Sequence, residues 1–252
     1  MNDGQRYESF WDHLEALRGC LLRSIVALAV AIVAAFCLKD WLFSVVLAPS
    51  DHNFLTYGMV GAEAPDLRLI NTLLTEQLLA HVEVAAYAGL IVAFPYVVWE
   101  FIRFVMPALY EGERRQVRGV ALASVAMFWV GSLISYFLLF PFTLKFLAGY
   151  SVSAEVEAMI SLRSYVETMI TMCLCVGIVA EMPVVCRLLA SMGLVKSLWM
   201  RRLRKQAIVV ILIASAIITP TTDAMTMAVV SVPIYGLYEI SILIVRITER
   251  KK

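Results

Sequence analysis

Four carboxylates stand where water is scarce: Glu83, Glu167, Glu181 and Glu239 each fall inside or at the edge of an apolar run. A carboxylate in a bilayer costs several kcal/mol unless it is paired or hydrated, so each asks for a partner, water or a proton. Glu181 is the clearest case, preceded by Leu174, Cys175, Val176, Gly177, Ile178, Val179 and Ala180 and followed by Met182, Pro183, Val184 and Val185. Pro183 has no N–H to donate and frees the carbonyl of Val179, so a local backbone break is expected beside the acid. That combination suits a wet or partner-facing polar site within the membrane. Glu167 lies fourteen residues earlier, roughly four turns of an unbroken helix, which predicts that both carboxylates share one inward face. Enzyme chemistry finds no support. His13, His52 and His81 are scattered without HExxH spacing, and no GxSxG, P-loop or dinucleotide fingerprint occurs. Neither a metal nor a cofactor is expected. The five cysteines, Cys20, Cys37, Cys173, Cys175 and Cys186, lie in or beside apolar runs, where Cys packs as a small hydrophobe.

A second group of reactive residues lies outside the apolar runs. Residues 10–18 read Phe-Trp-Asp-His-Leu-Glu-Ala-Leu-Arg, and residues 107–115 read Pro-Ala-Leu-Tyr-Glu-Gly-Glu-Arg-Arg. Each mixes aromatics, acids and arginines. Phe10, Leu14, Leu17 and Leu21 recur at helical spacing, which predicts an amphipathic interfacial lead-in over residues 1–20.

The elements that must hold these residues are membrane helices. Of 252 residues, 61% are hydrophobic and 16% charged, against about 25% charged in an ordinary soluble domain, so the surplus apolar surface must face lipid. Long apolar runs cover residues 21–38, 77–99, 119–144 and 164–190, and two shorter ones cover 207–218 and 225–245. The last pair is separated by a Pro220 stop and an Asp223 restart, predicting a tight hairpin. The expectation is an all-α integral membrane protein, one domain over 1–252, with six transmembrane helices of which the fifth and sixth are short. The fifth run spans only roughly 18 Å at about 1.5 Å per residue, so the bilayer must thin there or a partner must shield it.

Orientation follows from Lys and Arg. Arg6, Arg18 and Arg23, the Arg103–Arg118 group, the group from Arg187 to Lys205, and Arg246 to Lys252 all fall on one side; the opposite loops hold only Lys39, Arg68, Lys145 and Arg163. Both termini are thus expected in the cytoplasm, with cytoplasmic loops at 107–118 and 191–206 and outer loops at 39–76, 145–163 and 219–224. No cleavable signal is expected, since acids stand among the residues before the first run and no small-residue cleavage site follows it; no Arg/Ser-rich transit peptide precedes it either, which favours a bacterial inner membrane. A net charge of +1 gives no global field for nucleic acid. From the carboxylates and prolines alone a proton-coupled secondary transporter of a small solute is the alternative, although no internal repeat relates residues 1–125 to 126–252.

Taken together the motifs resemble TatC, the receptor subunit of the twin-arginine protein translocase. His13, Leu14, Leu17 and Arg18 match its His-Leu-x-Glu-Leu-Arg pattern; Pro107, Leu109, Tyr110, Glu113 and Arg114 match Pro-x-Leu-Tyr-x-x-Glu-Arg; Phe140, Pro141, Phe146 and Leu147 match Phe-Pro-x-x-x-x-Phe-Leu. Glu181 and Pro183 follow its Glu-x-Pro, Thr219, Pro220 and Asp223 resemble its Thr-Pro-Pro-Asp turn, and Pro233, Tyr235 and Glu239 match its last span. The chain departs from the family at Ala16, where the nearby carboxylate is Glu15, in the longer Thr-Pro-Thr-Thr-Asp turn, and at Met227 in place of Gln. The resemblance implies a receptor that binds a consecutive Arg pair through Glu15, Arg18, Tyr110, Glu113 and Arg114. It also implies an intramembrane polar site at Glu181 and Glu167, and contacts to a partner helix at Thr219, Pro220, Asp223, Thr226 and Glu239. The partners it implies are single-span subunits of TatA and TatB type, twin-arginine precursor proteins, membrane lipid and further copies of the chain, with folded cargo moved by the proton-motive force.

Overall fold

In a computed structural model, residues 10–51, 54–60, 69–105, 114–149, 159–219 and 223–250 are described, and all but two short strands of the regular structure is helical. Helix α1 (Phe10–Phe36) carries residues 10–20 of the expected lead-in without a break into the first apolar run, residues 1–9 lying outside the described residues, because nothing between Phe10 and Phe36 is Pro and the single Gly19 is tolerated. After it come α2 (Lys39–Leu47), a 3₁₀ turn (Ala48–Ser50), α3 (Leu55–Val60) and strand β1 (Leu69–Ile70). Helix α4 (Glu76–Val105) is the second long helix. The third run is α5 (Arg114–Ile134), a π-helical turn (Ser135–Leu139) and α6 (Phe140–Gly149). Strand β2 (Ile160–Ser161) leads to α7 (Leu162–Val179) and α8 (Met182–Ser191), and the chain ends with α9 (Ser197–Arg202), α10 (Arg204–Ile218) and α11 (Ala224–Glu249).

All six expected runs fall in helices, but the sixth, expected to be short, is the 26-residue α11, because the helical pattern runs on past Val245 to Glu249. Among the described residues five stretches have the length and apolarity of a membrane span: Leu14–Phe36, Glu76–Phe104, Gly119–Gly149, Leu162–Ser191 and Ala224–Glu249. The remaining one, α10, has 15 residues, roughly 22 Å, short of a hydrocarbon core of about 30 Å.

Packing follows the helical period. In α11 the buried stripe is Val230, Ile234, Tyr238, Ile242 and Val245; in α7 it is Tyr165, Val166, Met169, Met172, Cys173, Val176 and Gly177. Where helices approach most closely the residues are small, as membrane packing requires when no water is expelled between spans. Ala85, Gly89 and Ala93 line up on α4, and a Cβ on Gly89 would lie 2.7 Å from the backbone nitrogen of Ile32 in α1. Helix α1 has little other cover, and Ile25, Val26, Val30 and Val33 are each more than half exposed. That surface fits lipid.

The segment expected as an outer loop at 39–76 is in large part structured, and side chains from the spans hold it. His81 in α4 stacks on Phe36 with ring centroids 4.0 Å apart, its Nε2 3.1 Å from the Phe36 carbonyl at the end of α1. Tyr136 and Tyr165 donate to the carbonyls of Val45 and Val46 at 2.6 and 3.0 Å, so hydroxyls from two other elements satisfy the end of α2. Tyr57 donates to the Pro49 carbonyl at 3.1 Å, and burial pushes its phenol up to about 12. Pro141 cannot donate to the Phe137 carbonyl, and the chain widens into the π-helical turn just before it; the Thr56 hydroxyl donates to that orphan carbonyl instead. Strands β1 and β2 pair in parallel, Leu69 with Ile160 and Ile70 with Ser161.

Glu76 closes this end. Its carboxylate is 1% exposed; Oε2 accepts from the Thr72 backbone N–H (2.6 Å), the Thr72 hydroxyl (2.9 Å) and the Leu73 N–H (3.2 Å), and Oε1 accepts from the Arg163 N–H (3.1 Å) at the start of α7. One carboxylate thus joins the entries of two long helices.

Candidate functional site

At the opposite end, where α1 begins and α11 ends, the charged residues gather. Glu15 and Arg18 are exposed on α1, on its lead-in turns. Tyr110 and Glu113 lie outside the described residues, and Arg114 is placed as the first residue of α5. By chain connection the Tyr110 and Glu113 segment joins the last turn of α4 to the first of α5.

A charge cluster that no local motif marks also lies at this end. Glu100, one turn before the end of α4, is 3% exposed. Its Oε2 accepts from Arg23 of α1 through Nε at 2.9 Å and Nη2 at 2.8 Å, and its Oε1 lies 4.0 Å from Arg103 Nη1. The signal was present in the sequence, a Glu at the rim of an apolar run with Arg103 three residues on. Its partner Arg23 lies 77 residues away, beyond the reach of local spacing.

Residues after α8 are held by two further contacts. Glu249 accepts from the Ser197 backbone N–H at 2.8 Å and from its hydroxyl, so the last turn of α11 caps the start of α9; Tyr238 donates to the Met200 carbonyl at 2.6 Å. Arg204 of α10 pairs with Glu239 of α11 at 2.8 Å, and Tyr235 donates to the other oxygen of Glu239 at 2.9 Å. Glu239, expected as a contact for a partner helix, already has two partners within its own chain.

Glu181 sits where the sequence predicts a break: α7 stops at Val179 and α8 starts at Met182 with Pro183 in its first turn. Its Oε2 accepts from the Ser124 hydroxyl of α5 at 2.6 Å, while Oε1 is buried without a hydrogen-bond partner. The α5 and α7 backbones meet just beyond it. A Cβ on Gly131 would lie 2.5 Å from Ala180 Cβ and 2.9 Å from the Val176 carbonyl, and one on Gly177 would lie 2.6 Å from Ser132 Oγ. Glu167 does not share an inward face with Glu181. It is exposed on α7, and the break after Val179 ends the regular helical register on which the shared face was counted. Glu83 lies 4.0 Å from Arg163, with its Oε2 buried and lacking a hydrogen bond.

The turn between α10 and α11 also differs from expectation. Thr219 and Thr226 are 4% and 2% exposed. Thr219 donates to the Ser215 carbonyl at 2.9 Å, and Asp223 caps α11 by accepting from the Thr226 N–H at 2.9 Å and from its hydroxyl. Both hydroxyls are turned inward, and among the described residues beside the turn the large exposed side chains are Ile217 and Met225, at 76% and 64%. Pro220 lies outside the described residues. Among the described residues no group of His, Cys, Asp and Glu could hold a metal ion.

Comparison with known proteins covers nearly the whole chain. Residues 12–233 match the family model described as Sec-independent protein translocase protein (TatC). A Sec-independent protein translocase protein TatC of Desulforapulum autotrophicum is 35% identical over 252 residues, covering 100% of this chain and 89% of the relative. One from Deinococcus radiodurans is 36% identical over 242 residues, covering 94% and 85%. A crystal structure described as the twin arginine translocase receptor TatC superposes with a TM-score of 0.78 at 30% identity, covering 94% of this chain and 99% of that one.

Proposed function

The chain belongs to the TatC family of Sec-independent protein translocase proteins, and from that premise we propose that its basic end is the docking face for twin-arginine precursors. As a TatC it is a multi-pass inner-membrane protein of the Sec-independent translocase, and the comparisons favour this over a small-solute transporter. Both termini then lie in the cytoplasm, and a precursor arrives at the face that carries Glu15, Arg18, Tyr110, Glu113 and Arg114. Two adjacent guanidiniums seek carboxylates in forked geometry, and Glu15 and Glu113 are the two proposed to meet them, with Arg18, Tyr110 and Arg114 as further contacts. The observation that carries this reading is the exposure of Glu15 and Arg18 on a helix rigidly continuous with the first span. A receptor group so placed is presented to solvent at a fixed height above the bilayer.

After docking, the apolar part of the signal lies along the chain toward Glu181, whose half-satisfied carboxylate beside a helix break suits a hydrated or partner-facing site. Single-span subunits of TatA and TatB type cover the short α10 and the start of α11. Because Thr219 and Thr226 point inward, this contact is carried by Ile217 and Met225, with Asp223 fixing the turn. Further copies of the chain associate in the complete translocase.

The test is site-specific photocrosslinking from position 113. A twin-arginine precursor gives an adduct that a precursor with paired lysines does not; equal adducts, or none, remove the docking face from this end.

A further inference from the structure

Glu100 is a two-guanidinium seat that the chain fills with its own arginines. Arg23 takes one carboxylate oxygen through Nε and Nη2 (2.9 and 2.8 Å), and Arg103 stands 4.0 Å from the other. The two arginines come from different helices, and their guanidiniums lie on the outside of the cluster: the Arg23 and Arg103 side chains are 51% and 67% exposed, whereas that of Glu100 is 4% exposed. A carboxylate this deep at a membrane edge persists as an anion only while cations cover it.

We propose that Arg23 is a resident competitor, an internal stand-in for a signal-peptide arginine, and that docking proceeds by guanidinium exchange on Glu100. This deepens the docking reading above and rests on it. Three features favour exchange over a fixed staple between helices. Arg23 is the half-exposed partner, and a long basic side chain at a membrane rim swings to the interface at small cost. The Arg23 Nη1 folds back over Gly19, 3.4 Å from where a Cβ of that residue would stand, so the guanidinium leans toward the docking end. Glu15, Gly19 and Arg23 follow one another at intervals of four on α1, forming a track along which a second arginine moves from Glu15 toward Glu100. The exchange conserves charge at the buried site, since one guanidinium replaces another. It also selects for arginine, because a lysine ammonium offers no fork to the oxygen that Arg23 holds with two donors.

The consequence is self-restraint: the resting receptor binds more weakly than its carboxylates allow. Affinity for a twin-arginine peptide and for its paired-lysine version is measured on the full chain in nanodiscs, for wild type, Arg23→Gln, Glu100→Gln and the double variant. Exchange predicts that Arg23→Gln tightens twin-arginine binding about tenfold, the lower end of what a charged hydrogen bond contributes, that Glu100→Gln weakens it, and that the double variant loses the gain. Unchanged or weaker binding in folded Arg23→Gln overturns the proposal while wild type still prefers paired arginines. Loss of that preference in wild type overturns the docking reading and this proposal with it. Should Arg23→Gln fail to fold, Arg23→Lys keeps the charge without the fork; an intermediate gain of about threefold supports exchange, and no gain overturns it.

Discussion

Replacing Gly131 by alanine tests whether the close α5–α7 crossing supports the Glu181 site. The added Cβ meets Ala180 Cβ at 2.5 Å, the Val176 carbonyl oxygen at 2.9 Å and Gly177 Cα at 3.1 Å. Ordinary carbon contacts lie at about 3.5–4.0 Å, so the helices must separate by roughly 1 Å, and two of the three obstacles are backbone that cannot rotate away. Overpacking of this kind costs about 1–3 kcal/mol. Alanine returns up to about 1 kcal/mol of helix propensity, so the net expectation is a loss of up to about 2 kcal/mol. Gly119, in the same helix, has nothing within 4 Å of its would-be Cβ; Gly119→Ala therefore keeps the propensity gain and is expected to be neutral or stabilising. The assay is reversible unfolding of both variants in one detergent, followed by export of folded cargo from vesicles. Because Ala180 adjoins Glu181, Gly131→Ala should also lower export more than precursor binding. Equal stability of Gly131→Ala and Gly119→Ala would refute the packing argument.

Other expectations concern single carboxylates. Glu113→Ala should weaken precursor binding by about 1.5–3 kcal/mol, one charge-assisted contact, while Glu111→Ala does less; equal losses in solubilised protein remove the reason for singling out Glu113. Glu15→Ala should lower affinity and Ala16→Glu should retain or raise it, with a wild-type result for Glu15→Ala locating this part of the site elsewhere. Glu181→Gln keeps size and the Ser124 contact but removes the possibility of charge. It should insert and bind precursor yet export less cargo per bound precursor, and an unchanged normalised rate makes Glu181 a structural hydrogen-bond acceptor.

Hydropathy located the long helices because a span is a composition signal that needs no partner. The break at Glu181 was equally legible, since Pro183 enforces it locally. What stayed hidden was long-range pairing. Glu76 looks like an ordinary acid at a helix start, and only the fold brings the Arg163 N–H, 87 residues on, to its second oxygen. Glu100 was hidden for the same reason, its partner Arg23 standing on a different helix. The segment at 39–76 read as loop because its helices are short and are tied to the spans by distant partners, Tyr136 and Tyr165 capping the end of α2 and Thr56 reaching the Phe137 carbonyl, none of which a local pattern predicts. Thr219 and Thr226, implied as contacts for a partner helix, bond to their own helix ends, and Ile217 and Met225 are the large exposed side chains among the described residues beside the turn.

Binding of paired-arginine and paired-lysine signal peptides to the purified chain, with and without Glu15→Gln and Glu113→Gln combined, decides whether this end is the docking face. Docking through Glu15 and Glu113 predicts a preference for arginine in the wild type that falls sharply in the double variant while affinity for the lysine peptide changes little. An arginine preference undiminished by the loss of both carboxylates refutes docking at these two residues.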